Sequence, residues 1–166
     1  PLDTAIYLHP TATPKATAKP TAAGTKLKNK NASYQVVSAN PKQPTVTYVQ
    51  NLKKTAASVT VPAQVKIGSV TYKVVAIGFK AFANNKKLKT LTIGKNITTI
   101  GKNAFAGCKK LKKITIKSTK LKSGAIGKNA FKGTAKNLVV KVPRKQYRAY
   151  KKFLKKKGNK TVKVTK

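Results

Sequence analysis

The chain has 166 residues, of which 38 are Lys or Arg and one is acidic, so its formal net charge is +37. The only carboxylate side chain and the only imidazole, those of Asp3 and His9, lie in the first ten residues. General acid–base catalysis and hard metal sites draw on several such groups. The composition therefore excludes most enzyme classes, and we expect a non-catalytic protein without a cofactor or a metal.

The apolar residues, 40% of the chain, are enough for a buried core at this length. No stretch approaches the roughly 18 consecutive apolar residues of a membrane-spanning helix. Because the chain begins at Pro1 and contains no Met, we interpret it as a processed or excised piece. Cys108 is unpaired, and we expect it to pack in the core as a small apolar residue.

Residues 1–25 are predicted to form an extended linker or tail. The run from Pro10 to Thr25 consists mainly of Pro, Thr, Ala and Lys without apolar periodicity, which is typical of solvated linkers. From Lys26 to residue 76, the segments YQVV, TVTYV, VTV, QVKI and VTYKVVAI alternate as strands do. Gly68-Ser69 suits a tight hairpin between the last two. We interpret residues 26–76 as an N-terminal β-rich cap that includes the first repeat strand.

Residues 77–142 contain an internal repeat. Three segments align, IGFKAFANNKKL, IGKNAFAGCKKL and IGKNAFKGTAKNL, and their phenylalanines Phe82, Phe105 and Phe131 are spaced by 23 and 26 residues. The apolar triplets VTV, LTI, ITI and VKV run in phase with them. Each triplet predicts a short strand with one buried face. The intervening segment predicts a helical turn, so each unit must bury its apolar side against the next one.

Residues 143–166 are predicted to be a C-terminal cap of one helix and one strand. Tyr147, Tyr150, Phe153 and Leu154 have helical spacing, Gly158 is a stop signal, and TVKV is a short strand. The predicted fold is therefore an α/β repeat: a short, curved solenoid between an N-terminal β-rich cap and a C-terminal helix-strand cap.

The run IGxxAFxxCxxLxxIxI, almost intact from Ile100 to Ile116, resembles the BspA-type leucine-rich repeat of bacterial and some protist surface proteins. The similarity covers about Ser58 to Val142, and the flanks resemble those of leucine-rich-repeat proteins from gut Firmicutes. The resemblance implies a secreted, cell-surface or cell-wall-associated protein that binds or adheres. Thr134 departs from the pattern because it replaces the repeat Cys, and the loop KSTKLKSGAIG is three residues longer than its counterpart.

The charge predicts the class of ligand. Arg144 and Arg148 are the only arginines, so the positive side chains are almost all lysines, which suit a diffuse polyanion better than a base edge or a bidentate phosphate. Threonines are predicted to line the concave sheet face, and a basic patch is predicted beside them. These residues are Thr60, Thr90, Thr92 and Thr115 on the face, and Lys113, Lys117, Lys120, Lys122 and Lys141 in the patch.

We expect the partner to be an anionic polysaccharide, such as teichoic acid, glycosaminoglycan or sialylated mucin. Two alternatives stay open at this point. A structural role would require acidic protein surfaces to offset the positive charge, and a nucleic-acid-binding protein would bind non-specifically with a steep salt dependence. The excess of Lys over Arg disfavours the nucleic-acid alternative.

Overall fold

The computed structural model describes residues 18–166. Within this range there are eleven strands and one α-helix. The strands are β1 (Lys26–Lys28), β2 (Ala32–Ser38), β3 (Thr45–Asn51), β4 (Ser58–Val61), β5 (Gln64–Ile67), β6 (Val70–Ile77), β7 (Thr90–Ile93), β8 (Thr99–Ile100), β9 (Lys113–Ile116), β10 (Val139–Lys141) and β11 (Lys163–Thr165), and the helix is α1 (Tyr147–Leu154).

One sheet is built mainly from the N-terminal strands, in the order β1-β2-β3-β6-β5, with β8 pairing β6. The β5–β6 hairpin turns at Gly68, which has a φ of 63°. Such a left-handed backbone favours glycine, so the hairpin predicted at Gly68-Ser69 is confirmed. The strands predicted for residues 26–76 are present, and one of them, β4, belongs to the second sheet.

The second sheet is parallel and has the order β11-β10-β9-β7-β4. The repeated triplets form its strands β4, β7, β9 and β10, which pair in register from one repeat to the next, and β11 pairs in register with β10. Leu91, Ile93, Ile114 and Ile116 are buried, whereas Thr92 and Thr115 lie on the opposite face. The predicted inward and outward positions of these strands are therefore confirmed.

The segments opposite the sheet form turns, so the predicted helical turns are wrong. Asn103 and Gly107 have φ values of 55° and 76°, and left-handed residues at this spacing interrupt an α-helix. The backbone N–H groups of residues 103–107 donate alternately within the turn and to the next repeat. Ala104 and Ala106 donate to the carbonyls three residues earlier, whereas Asn103, Phe105 and Gly107 donate to the next repeat at Lys128, Ala130 and Lys132. The repeats are thus joined on their turn side as well as through the sheet.

The core runs along the stack between the sheet and the turns. Phe82, Phe105 and Phe131 are fully buried, and their ring centroids are 5.6 and 5.7 Å apart in sequence order. Tyr48 of β3 continues the row, with its ring centroid 5.2 Å from that of Phe82. Cys108 is also fully buried, as predicted.

The segment predicted as the linker divides at residue 18. Residues 1–17, with the first half of the Pro/Thr run, lie outside the described residues. The remainder is held against the first sheet, because the Thr21 N–H donates to the Tyr72 hydroxyl at 3.1 Å and Gly24 N–H donates to the Val36 carbonyl at 2.7 Å. Pro20 is buried in the same region.

At the C-terminal end, α1 buries Tyr150, Phe153 and Leu154. The Tyr150 hydroxyl donates to the Ser118 carbonyl at 2.8 Å and accepts from the Leu121 N–H at 3.1 Å, so it ties α1 to the longer loop. Strand β11 then extends the parallel sheet in register with β10. The helix and the strand lie where the sequence predicts them.

Candidate functional site

The outer face of the parallel sheet is made by the side chains that point away from the core. In-register pairing aligns them in two rows across the strands. One row is Ser58, Thr90, Lys113, Val139 and Lys163, and the other is Thr60, Thr92, Thr115, Lys141 and Thr165. The four threonines predicted for this face all lie in these rows, and positive charge is added toward β11.

A depression of about 560 Å³ lies on this outer face, and we call it the lysine depression. Lysines, threonines, an amide and one aliphatic residue line it: Thr90, Lys112, Lys113, Asn137, Val139, Lys141, Thr165 and Lys166. Val139 gives an apolar floor between hydroxyl and ammonium groups. Such a surface can contact a sugar ring and pair with its anionic substituents.

The structure brings together two of the five predicted patch lysines, Lys113 and Lys141, which both line the lysine depression. Lys117 follows β9 and lines a separate depression of about 200 Å³, beside Thr60 and Thr92. Lys120 and Lys122 are exposed in the longer loop, on either side of the buried Leu121. These last two lysines line neither depression, and the five-lysine patch remains a prediction.

Lys112, Lys166 and the Asn137 amide also line the lysine depression, and they are not among the residues predicted from the sequence. Lys166 reaches it because β11 pairs with β10, and its ammonium nitrogen lies 5.1 Å from the centre of the Tyr147 ring. A cation over an aromatic ring is attracted by the ring quadrupole. Lys112 directly precedes β9 and Asn137 lies two residues before β10, so both are at the entry to the sheet. Their position just before β9 and β10 was the signal in the sequence that could have placed them at this depression.

The charge on this face is not neutralised by neighbouring side chains. The single acidic residue, Asp3, lies outside residues 18–166, so no carboxylate side chain stands near these lysines within the described chain. Like charges repel over a Debye length of about 8 Å at physiological salt. An anionic ligand on this face would therefore relieve repulsion as well as form contacts.

Cys108 lacks the surroundings of a nucleophile. Burial raises its pKa to about 11, and its Sγ donates to the Phe82 carbonyl at 2.9 Å. Nucleophilic cysteines instead have a lowered pKa and an adjacent base. Over residues 18–166, no group of three or more His, Cys, Asp or Glu side chains could hold a metal ion.

Buried polar side chains stand at the Cys position of successive repeats. These residues, Asn85, Cys108, Thr134 and Asn159, are at most 9% exposed. Asn51 extends the series, because its amide donates to the Asn85 side-chain oxygen at 2.7 Å, and the Asn159 amide donates to the Thr134 hydroxyl at 2.8 Å. The replacement of Cys by Thr134 thus keeps a buried hydrogen-bonding group in the row.

Comparisons with known proteins agree with this architecture. The family model of the BspA type leucine rich repeat region matches residues 59–165 in six copies, and no curated protein sequence matches the chain. No helix of the described residues combines the length and apolar character needed to cross a membrane.

Two solved structures illustrate the likeness. A leucine rich cell surface protein from Faecalibacterium prausnitzii A2-165 has a TM-score of 0.57 and 25% identity, and the match covers 74% of this chain and 38% of that one. A leucine-rich repeat protein from Bacteroides capillosus ATCC 29799 has a TM-score of 0.59 and 18% identity, over 85% of this chain and 99% of that one. On the family match across most of its length, the chain belongs to the BspA-type leucine-rich repeat family.

Proposed function

We propose that this protein is a non-catalytic binding module that acts outside the cell and holds anionic polymers on the outer face of its parallel sheet. The observation that carries the proposal is the lysine depression, which Lys112, Lys113, Lys141 and Lys166 line together with Val139. Repeat proteins of this kind offer a wide, rigid surface to which a ligand can bind. The likeness to a leucine rich cell surface protein supports the extracellular location.

The polymer is expected to bind through counterion release. Each lysine that neutralises an anionic group frees a condensed counterion, so affinity falls steeply with salt. Lysine ammonium groups are compact point charges without a fixed fork. The face therefore favours charge density over a particular stereochemistry, as expected for teichoic acid, glycosaminoglycan or sialylated mucin.

The threonine rows give the face a second kind of contact. Their hydroxyl groups both donate and accept hydrogen bonds, and they lie next to the lysines across the strands rather than apart from them. Sugar hydroxyls can use these groups while carboxylates, sulfates or phosphates pair with the ammonium groups. Polysaccharides therefore use more of this surface than a polymer with charge alone.

The test is binding to heparin, wall teichoic acid and inorganic polyphosphate at low and physiological salt. The variant carries Gln in place of Lys112, Lys113, Lys141 and Lys166. The matched control carries Gln at four exposed lysines of the turn side, Lys86, Lys102, Lys128 and Lys132, so both variants lose the same charge.

We expect the site variant to bind polysaccharide at least about tenfold more weakly than the control variant, because it loses several direct phosphate, sulfate or carboxylate contacts. Equal loss in both variants would mean that the whole positive surface acts as a diffuse coat, and it would overturn the assignment to this face. Circular dichroism of both variants checks that the fold is kept.

A further inference from the structure

A cleft of about 320 Å³ lies between the two sheets, away from the lysine depression. Its walls come from the turn after β1, from β2, β3, β4 and β5, and from the segments that follow β3 and β4. The lining residues are Asn29, Asn31, Tyr34, Tyr48, Lys53, Ser58, Val59, Thr60, Pro62 and Val65. The cleft shares no lining residue with the lysine depression.

The cleft is open to the backbone edge of β4. Ser58, Val59 and Thr60 are consecutive and all line it, which requires contact through the strand edge, because alternate side chains of a strand point to opposite faces. On its other side β4 pairs with β7, and it is the last strand of its sheet. The cleft therefore lies where a further strand of this sheet would stand.

The peptide groups on this edge are free to pair. The carbonyls of Ala57 and Val61 accept from the N–H groups of Thr90 and Gly94, on the β7 side. Alternate residues of a parallel strand direct their N–H and C=O to opposite neighbours, so those of Ser58 and Thr60 are directed to the cleft. Within residues 18–166, no backbone group pairs with them there.

A second, independent feature stands in the same cleft. The Asn31 side-chain oxygen is buried, and no group of residues 18–166 forms a hydrogen bond with it. Its neighbour Asn29 is occupied, because its side-chain oxygen accepts from the N–H groups of Asn31 and Ala32 at 2.8 and 3.0 Å. A buried acceptor left unpaired costs free energy, and an incoming N–H donor would satisfy it.

We propose that this cleft binds an extended, acidic segment of a partner protein, which adds as a strand to β4. The main chain of the segment pairs with the peptide groups of Ser58 and Thr60, and one of its donors reaches the Asn31 oxygen. Lys53, exposed at the rim, pairs with an acidic side chain of the segment. Strand addition of this kind takes affinity from main-chain hydrogen bonds and selectivity from side-chain contacts.

Electrostatic repulsion disfavours a second copy of the chain in the cleft and favours an acidic segment. A copy carries +37 and a single acidic side chain, so two copies repel each other at the rim of the cleft. A segment with Asp or Glu beside β-branched residues has the complementary charge and the strand preference.

The probe is a capped peptide of alternating valine and threonine with an aspartate at each end. The matched probe has the same sequence with N-methyl groups on alternate peptide bonds, on the edge that would face β4. Both peptides carry the same charge, so they separate strand pairing from general attraction to a positive protein. Binding is measured by calorimetry, with amide exchange followed at Ser58 and Thr60.

We expect the unmethylated peptide to bind at least tenfold more tightly and to slow amide exchange at Ser58 and Thr60. Asn31→Ala and Lys53→Gln are each expected to weaken binding severalfold, whereas Lys66→Gln, a charge-matched change on β5 outside the cleft, is not. Equal affinity for the two peptides would overturn the proposal. The proposal would also be overturned if sedimentation showed concentration-dependent dimers that the peptide dissociates, since a second copy of the chain would then occupy the cleft.

The result is independent of the polymer proposal. Heparin binding measured on the same Asn31→Ala protein should be unchanged, because Asn31 is not on the outer face of the parallel sheet. Loss of heparin binding with the lysine-depression variant leaves the peptide result untouched. Each proposal can therefore fail alone.

Discussion

The thiol of Cys108 donates a hydrogen bond to the carbonyl of Phe82, in the preceding repeat, at 2.9 Å. The same carbonyl accepts from the N–H of Asn85 at 3.1 Å and from its side-chain amide at 2.8 Å. One buried oxygen thus collects donors from two successive repeats. The Cys position therefore has a structural role: Asn85 closes its own turn on the Phe82 carbonyl, and Cys108 links its turn to the same carbonyl in the preceding repeat.

Cys108 is expected to be protected in the folded protein. Its side chain is fully buried and its pKa is raised to about 11 by burial, so little reactive thiolate forms near neutral pH. A thiol reagent such as Ellman's reagent should label the native protein far more slowly than the protein in denaturant. Immediate labelling of the native protein would contradict the buried position.

The same pKa predicts a loss of stability at alkaline pH. The unfolded thiol ionises around its ordinary pKa of 9.0, whereas the folded thiol holds its proton to about pH 11. Stability from this group is therefore complete below pH 9 and is lost as the pH rises to about 11. The measurement is the difference in denaturant midpoint between the wild-type protein and Cys108→Ala, so that effects common to both proteins cancel. That difference should shrink over this range.

The glycine of the IG motif is required by close backbone approach. A Cβ at Gly101 would lie 2.6 Å from the Gly78 carbonyl carbon and from the Phe79 nitrogen, both of which are backbone atoms. Gly101→Ala should therefore destabilise the protein by about 1–3 kcal/mol or more. Gly124→Ala is the matched control, since no atom lies within 4 Å of the added Cβ. Equal thermal midpoints for the two variants would refute this explanation of the motif.

The central ring of the phenylalanine row is expected to be among the costliest side chains to remove. Phe105 packs between Phe82 and Phe131 and has no exposed surface, so Phe105→Ala should cost about 3–5 kcal/mol in urea unfolding. Phe79 is 61% exposed, and Phe79→Ala should change stability by less than about 0.5 kcal/mol. A large effect at Phe79 would indicate that its exposed ring has a packing role.

Salt is expected to stabilise the fold. With a net charge of +37 and no acidic side chain among residues 18–166, screening weakens the repulsion between lysines. The thermal midpoint should rise with sodium chloride and rise further with heparin, which binds the folded state preferentially. A midpoint that does not move with either addition would show that the lysines are too far apart to interact.

Regular patterns in the sequence predict much of this fold. The spacing of Phe82, Phe105 and Phe131 and the alternation around Ile114 and Ile116 place the core correctly, because burial follows apolar periodicity. The turns could not be distinguished from helical turns by periodicity, since Ala104 and Phe105 are buried in both. The relevant indication was Asn103, because Asn tolerates a left-handed backbone better than most residues.

The candidate site is less predictable, because it depends on pairing between distant segments. Lys113 and Lys141 lie at outward strand positions, so their place on the face follows from the repeat. Lys166 reaches the same depression only through the pairing of β11 with β10. No sequence pattern predicts the cleft beside β4. Asn31 precedes a strand of the first sheet and Thr60 lies in a strand of the second, so only the packing of the two sheets brings them to one cleft.

The alternating N–H groups of the turns have a consequence for how such a protein can change in length. Each turn offers its neighbour the same spacing of donors and acceptors that it receives from the other side. In one turn, for example, the Ala104 carbonyl accepts from the Phe82 N–H at 2.7 Å, and the next N–H, that of Phe105, donates to the Ala130 carbonyl at 2.9 Å. If one whole repeat is duplicated or deleted, every contact between neighbouring repeats is still of the same kind. Gene rearrangements in multiples of a repeat should therefore yield folded proteins, while those of half a repeat should not.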